Sequence, residues 1–154
     1  MVFLAKMQPF WYFNPPIPIC PSGEQIVNGG FETGNFTGWT VVGAPIVQSG
    51  IVHSGSYAAR LALDAIYQSL GGITVACLAT AELWYYKYVI VRITFTDDTT
   101  WTKVAQNVGF QWAELDLLPT LQGTYGDKAI NTVMIYEDGG VYIFVDDVSF
   151  MGKG

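Results

Sequence analysis

Twelve residues near the start of the chain combine types that could do chemistry. Residues 28–39 read NGGFETGNFTGW, with several glycines, one carboxylate, two phenylalanines and a tryptophan. A catalytic loop, a phosphate-binding loop and the folded corner of a β-sandwich could each use such a stretch. A phosphate-binding loop needs a helix and a lysine after its glycines. This stretch has no lysine and leads into a predicted strand, which argues against a phosphate-binding loop.

Catalytic groups elsewhere are few. His53 is the only histidine, so a Ser–His–Asp or Cys–His–Asp arrangement would have to use it, and no G-x-S-x-G motif accompanies it. We therefore interpret His53, in its Gly/Ser-rich turn, as a loop residue. Glycoside hydrolysis needs two carboxylates across one bond, and nothing in the sequence brings together any pair of Glu82, Glu114, Asp116 and Glu137. The sequence predicts a protein that is not an enzyme.

Aromatic residues provide a second kind of chemistry, because sugar rings stack on flat aromatic faces. Trp84, Tyr86 and Tyr88 alternate, so they are expected to share one face of a strand. The carbohydrate-contacting residues predicted from this pattern are Trp84, Tyr86, Trp101, Trp112 and Tyr136. Alternating aromatics in a sandwich also serve as core residues, so the pattern leaves both uses open.

The elements that would position these groups are predicted to be strands. The chain has 154 residues, half of them apolar and 13% charged, which suits one domain with a hydrophobic core. From residue 24 onward, short runs rich in Val, Ile, Thr and aromatics alternate with turn residues. DDTT and EDGG are predicted hairpin turns, and VACLATAEL is predicted to form one short helical turn. We therefore predict an all-β antiparallel β-sandwich, a jelly roll, over residues 24–154.

Residues 1–23 differ in composition and are predicted to form an extended, Pro-rich N-terminal arm. They hold five of the seven prolines together with an aromatic cluster. Exposed apolar surface usually marks a contact, either with the arm's own domain or with a neighbouring subunit. We favour the neighbour, with contacts made by Phe10, Trp11, Tyr12, Phe13, Ile17 and Ile19.

The composition of the chain argues against several kinds of partner and location. The net charge is −6 and no Lys/Arg cluster exists, which argues against nucleic acid. No apolar run is long enough for a membrane span, and no signal peptide is recognisable. Cys20 and Cys77 match no metal-ligand spacing, and either a disulfide or two buried free thiols would account for them.

Four motifs together carry a resemblance to a known family. In order along the chain they are QIVNGGFETGNFTGW, VHSGSYAARL followed by IYQSL, AELWYYKY, and VYIFVDDVSF. This set resembles carbohydrate-binding modules of the galactose-binding-like jelly-roll superfamily, of the type appended to xylanases and laminarinases. The resemblance covers about residues 25–150 and implies a jelly roll in which residues 28–39 build a corner.

The same resemblance implies a structural calcium ion. The side-chain ligands would be Glu32 and Asp146, with the backbone carbonyl of Gly30 and one carbonyl from Ser56 or Tyr57. Calcium takes six to eight oxygen ligands, which such a set could begin to supply. The alternative is that Glu32 binds backbone amides and Asp146 makes a turn hydrogen bond.

Two functions follow from these expectations. The first is a structural role as a jelly-roll subunit of a homo-oligomeric surface assembly, such as a virion decoration protein, a lattice or a filament, in which the arm contacts the next subunit. The alternative is a carbohydrate-binding module that recognises glycans through surface aromatics. The predicted partners are therefore other copies of the chain, with a capsid or surface lattice, or glycans. The predicted location is a virion or an extracellular surface.

Overall fold

The protein is a sandwich of two antiparallel sheets, in a computed structural model that describes residues 19–154. The strands in this range are β1 (Ser22–Glu24), β2 (Thr40–Val42), β3 (Ile46–Gln48), β4 (Ala58–Leu61), β5 (Ala65–Thr74), β6 (Leu78–Tyr86), β7 (Tyr88–Phe95), β8 (Thr100–Gln106), β9 (Trp112–Asp116), β10 (Ala129–Tyr136) and β11 (Ile143–Lys153). The first sheet has the order β3-β4-β11-β6-β9, with β1 also paired to β11, and the second sheet has the order β2-β5-β10-β7-β8. The predicted all-β sandwich is confirmed.

The core lies between the two sheets and follows the alternation of the strands. On β6, Ala81, Leu83 and Tyr85 are buried while Trp84 and Tyr86 between them point outward. Fully buried phenylalanines, including Phe31 and Phe150, fill the space between the sheets. Each sheet therefore has one face in the core and one face directed away from it.

The longest β-rich run, residues 81–96, is divided at Lys87. Tyr86 ends β6 in the first sheet and Tyr88 begins β7 in the second, and Lys87 between them has a φ of 81°. The prediction that Tyr88 shares a face with Trp84 and Tyr86 is therefore wrong. The positive φ of Lys87 breaks the alternation and carries the chain to the other sheet.

Residues 28–39 form a corner, as the resemblance implied. Gly29 lies so close to β11 that a Cβ there would come within 2.0 Å of the carbonyl oxygen of Val148. The amide of Val148 donates to the carbonyl of Gly29 (3.0 Å), and the indole N–H of Trp39 donates to the carbonyl of Asn28 (3.0 Å). Phe31 is buried and stacks on Trp39. The glycines and aromatics therefore hold the first part of the domain against its last strand.

The predicted turns have different outcomes. DDTT closes the β7–β8 hairpin, with the amide of Asp98 donating to the carbonyl of Phe95 (3.0 Å). EDGG makes no hairpin, because β10 lies in the second sheet and β11 in the first. In VACLATAEL, Val75–Cys77 form a short 3-10 turn and the rest begins β6.

A helix, α1 (Leu118–Tyr125), was not predicted. Only one of its side chains, Leu121, is buried, so the sequence lacks the apolar stripe that marks a packed helix. Its position between β9 and β10 bridges the two sheets. No helix within residues 19–154 has the length and hydrophobicity needed to cross a membrane.

The start of the described chain is fixed to the domain. Cys20 and Cys77 form a disulfide, so of the two alternatives for these residues the free thiols are wrong. Strand β1 pairs with the end of β11 and spans the predicted boundary between arm and body at residues 23 and 24. Ile19 is 91% exposed. The other predicted arm contacts, Phe10, Trp11, Tyr12, Phe13 and Ile17, lie outside the described residues.

We expect the disulfide to stabilise the domain. It closes a loop of 57 residues, for which the loss of chain entropy in the unfolded state corresponds to about 4 kcal/mol. Urea unfolding of the oxidised protein and of the Cys20→Ser/Cys77→Ser variant should differ by about 2–4 kcal/mol. Equal unfolding free energies for the two proteins would contradict this expectation.

Candidate functional site

The outer face of the first sheet carries a row of aromatic side chains. Tyr86 lies opposite Phe144 of β11 on one side and opposite Trp112 of β9 on the other. Its ring is 5.7 Å from each of theirs, measured between centroids. Trp84 lies two residues before Tyr86 on the same face of β6, and His53 stacks on its ring with centroids 3.9 Å apart. These five residues form the first-sheet aromatic surface.

His53 reaches this surface from a loop that two aspartates hold in place. Its Nδ1 is 2.7 Å from Oδ2 of Asp147, and the hydroxyl of Ser54 donates to the same carboxylate (2.6 Å). The backbone amides of His53 and Ser54 both donate to Asp146 (3.0 and 3.2 Å). A nucleophilic serine must bond to the imidazole, whereas Ser54 bonds to Asp147 instead. This geometry fits the predicted role of His53 as a loop residue.

The two predicted calcium ligands lie in this same corner and accept backbone amides. Glu32 accepts from the amides of Ser56 (2.9 Å) and Tyr57 (3.1 Å). Asp146 is fully buried and also accepts from the amide of Asp147 (2.9 Å). These contacts correspond to the amide-binding alternative, since each carboxylate faces N–H donors.

The carboxylates of this corner do not form a metal site by themselves. Among residues 19–154 no group of three or more His, Cys, Asp or Glu side chains is arranged to hold a metal ion. The third predicted ligand, Gly30, lies beside Asp147, since a Cβ on it would be 3.4 Å from Oδ1 of that residue. Calcium at Glu32, Asp146 and Gly30 therefore stays a prediction that rests on the resemblance.

Three of the four candidate catalytic carboxylates meet beside the aromatic surface. Glu82 lies opposite Asp116 in the β6–β9 pairing, and Glu114 lies opposite Trp84. Burial raises the pKa of Glu82, and the neighbouring charges of Glu114 and Asp116 raise it further. Glu114 and Asp116 are exposed, as expected of solvated strand residues. Glu137, the fourth, lies in the loop after β10, away from these three.

The second sheet carries a different site on its outer face. A cavity of about 490 Å³ is lined by Lys87, Tyr88, Gln106, Asn107, Gly109, Phe110, Glu137, Gly139 and Val141. A second cavity, of about 360 Å³, is lined by Val42, Leu63, Asp64, Ala65, Arg92, Met134, Tyr136, Glu137 and Asp138. Glu137 lines both cavities, and we call the two neighbouring cavities together the Glu137 groove.

Glu137 organises the loop that forms one wall of the groove. The residue is 2% exposed, and its carboxylate accepts backbone amides from Leu63 (2.8 Å), Gly139 (2.7 Å), Gly140 (3.0 Å) and Val141 (3.3 Å). These bonds leave the carboxylate little capacity to act as a catalytic base. Its role in the groove is to fix the shape of the wall.

The aromatic side chains of the groove are held by polar partners. Tyr88 donates its hydroxyl to Asp138 (2.8 Å), and this hydrogen bond raises the pKa of Tyr88 to about 12, so the phenol stays protonated. Arg92 donates to the hydroxyl of Tyr136 (3.1 Å) and lies over its ring. Phe110 is 79% exposed, and the ammonium of Lys87 lies 5.3 Å from its ring centroid.

The predicted carbohydrate-contacting residues are thus divided among three places. Trp84, Tyr86 and Trp112 lie together on the first sheet, and Tyr136 lies in the Glu137 groove. Trp101 lies opposite Ile93, which is buried, and packs toward the core beside Tyr125. Because Trp84 and Tyr86 point outward, the buried face of β6 is the one that carries Ala81, Leu83 and Tyr85.

The groove contains residues that the sequence analysis missed, above all Phe110, Lys87, Gln106 and Asn107. The signal for Phe110 is a large aromatic side chain between two turn-forming stretches in the β8–β9 loop, next to Gly109. The other three are polar residues at or beside strand ends, and only the folded arrangement brings them to one cavity.

Comparisons with known proteins show the fold. No protein-family model matches the chain, and no curated protein matches it. A family 61 carbohydrate-binding module in complex with β-1,4-galactotriose matches with a TM-score of 0.60 and 19% identity, over 86% of this chain and 100% of the other. A family 16 carbohydrate-binding module matches with a TM-score of 0.57 and 14% identity, over 82% and 99%.

A third similar structure is the C-terminal family 22 carbohydrate-binding module of Clostridium thermocellum Xyn10B. Its TM-score is 0.51 and its identity 13%, over 82% of this chain and 92% of the other. At such identities the likeness shows the fold alone. The domain has the jelly-roll fold found in carbohydrate-binding modules, as the resemblance implied.

The pKa of Asp146 leads to a prediction about pH and calcium. Burial raises the pKa of this carboxyl group from 3.8 to about 6, although the amides that it accepts oppose the change. Between these values the folded protein binds more protons than the unfolded chain, so the unfolding free energy should fall as the pH rises from about 4 to about 6. Urea unfolding in EGTA should show this slope in the wild type and a flatter one in Asp146→Asn.

Calcium provides a separate test of the same carboxylate. A melting temperature that calcium raises in the wild type but not in Asp146→Asn would contradict the arrangement in which Asp146 binds backbone amides without a metal ion.

Proposed function

We propose that the protein binds glycans in the Glu137 groove without chemically changing them. The observation that carries this proposal is that two neighbouring cavities combine three aromatic side chains, Tyr88, Phe110 and Tyr136, with amide and charged groups. Ligand sites are typically concave and largely apolar, with a few placed polar groups that fix orientation. A sugar offers the matching chemistry, an apolar ring face and hydroxyl groups at its rim.

The groove is preorganised for such a ligand. The Asp138–Tyr88 and Arg92–Tyr136 hydrogen bonds hold two of the rings, and Glu137 holds the wall. Groups that are fixed before binding lose less conformational entropy when the ligand arrives. The amide side chains of Gln106 and Asn107 at the same cavity can bond to sugar hydroxyls.

The groove suits glycan binding better than the first-sheet aromatic surface does. There the ring of His53 already covers one face of Trp84, with an interplanar angle of 13°. In the groove, by contrast, Phe110 is largely exposed. The similar domains support the proposal, since one of them was solved with β-1,4-galactotriose and the work on another concerned ligand binding in its cleft.

Truncating the aromatic side chains should weaken binding. After a glycan array has identified a ligand, Phe110→Ala and Tyr136→Ala should each lower its affinity about 10-fold or more, because aromatic anchors at the centre of a site are worth more than about 1.4 kcal/mol. Calorimetric titration measures the affinities. Val108→Ala, in the same loop but outside the groove, and Trp112→Ala, on the first sheet, are the controls. Loss of binding in Trp112→Ala with full binding in Phe110→Ala would move the site to the first sheet.

The assembly role predicted from the sequence is the second candidate. It is favoured by one observation: the disulfide and β1 fix the chain at residues 20–24, directly after the apolar, Pro-rich segment of the sequence. A disulfide also suits an oxidising, extracellular setting, which fits a surface location. Light scattering of the full chain tests this role. A defined oligomer that becomes monomeric when residues 1–18 are removed supports assembly, and a monomeric full chain contradicts it.

A further inference from the structure

Two cations line the Glu137 groove without a carboxylate partner. Lys87 lines the larger cavity and Arg92 the smaller one. Within residues 19–154 the ion pairs closer than 4 Å are His53–Asp147 and Lys128–Asp97. Residues 1–18 contain no aspartate or glutamate. Neither Lys87 nor Arg92 therefore forms a direct ion pair with a carboxylate of the described residues.

The carboxylates of the groove, in contrast, are engaged by the protein itself. Asp64 accepts the amides of Ala44 (2.8 Å) and Ala62 (2.9 Å), and Asp138 accepts the hydroxyl of Tyr88 (2.8 Å). Glu137 is buried and surrounded by the amides of its loop. Hydrogen bonds of this kind stabilise the charged form of a carboxylate and use its acceptor sites. These carboxylates keep their charge but use their acceptor oxygens within the protein, whereas Lys87 and Arg92 still have donors that can bond to a ligand.

The two cations are suitably placed to hold a carboxylate each. Arg92 uses one of its five N–H donors on Tyr136, and the remaining guanidinium edge can bind a carboxylate through two parallel bonds. Lys87 has its ammonium beside Phe110, the ring most exposed to a sugar. Arg92 lies in β7 and Lys87 directly precedes this strand, so the two cations line different cavities of the groove.

We propose that the groove binds an acidic glycan, a chain of uronic acid residues whose carboxylates pair with Lys87 and Arg92. This inference rests on the proposed glycan-binding function and names its substrate class. The aromatic side chains contact the sugar rings, and the two cations select for the carboxylates. A neutral glycan would use the same rings and leave both cations unpaired.

A pair of ligands that differ only in charge tests this inference. Oligogalacturonate and its fully methyl-esterified form, of equal length, are titrated into the full-length protein at low ionic strength. We expect the oligogalacturonate to bind at least 10-fold more tightly and the difference to shrink as salt is added. Arg92→Gln and Lys87→Met should each reduce the difference at least 3-fold, and Arg92→Lys should recover only part of it. Lys103→Met, which removes an exposed lysine outside the groove, should leave it unchanged.

The outcomes separate this inference from the proposed function. If the ester or a neutral oligosaccharide binds as tightly as the uronate and Phe110→Ala still abolishes binding, the groove binds glycans but the acidic class is wrong. The class is also wrong if a sulfated oligosaccharide binds more tightly than the uronate. If Phe110→Ala changes the affinity for no glycan of the array, both the proposed function and this inference fail.

Discussion

Between Tyr86 and Tyr88 the chain leaves the first sheet and enters the second, and both outer faces of the sandwich depend on this one-residue crossover. Lys87 adopts a positive φ there, which ends the alternation of β6 and starts that of β7. Trp84 and Tyr86 consequently face outward from one sheet, while Tyr88 and Arg92 face outward from the other. Lys87 itself remains at the crossover, where it lines the groove. A backbone feature thus distributes the aromatic residues between two surfaces.

Carboxylates that accept backbone amides are the second recurring feature of the structure. Glu24 binds the amides of Ile26 and Phe150, Glu32 binds those of Ser56 and Tyr57, and Glu137 binds the loop after β10. Such bonds satisfy the backbone where it leaves the sheets, which is where ladder hydrogen bonds end. Part of the acidic composition therefore serves turns and corners rather than a metal or a catalytic site.

The sequence was sufficient for the fold and insufficient for the site. The sandwich and the β7–β8 hairpin follow from alternation and turn residues, which are local signals, and the corner at residues 28–39 follows from the family resemblance. The break at Lys87 was missed because its residue type does not mark a positive φ. The EDGG turn was misassigned because its sequence is the same whether the next strand pairs locally or joins the other sheet.

The candidate site is harder to predict for a physical reason. Phe110 lies in the β8–β9 loop and Tyr136 at the end of β10, and only the strand order of the second sheet brings them to one groove. Trp101 and Trp112 are both tryptophans on short strands, yet one packs toward the core and the other points outward. Which face of a strand is buried depends on register, and register is a property of the whole sheet.

The central claim is that the second sheet, and not the first, carries the glycan site. Chemical-shift mapping tests it most directly, with a labelled full-length protein and the oligosaccharide that binds most tightly on a glycan array. The account predicts ligand-dependent shifts at the backbone amides of residues 87–92, 106–110 and 136–141, with little change at His53, Trp84 and Trp112. Shifts confined to His53, Trp84 and Trp112 would contradict it and assign binding to the first-sheet aromatic surface.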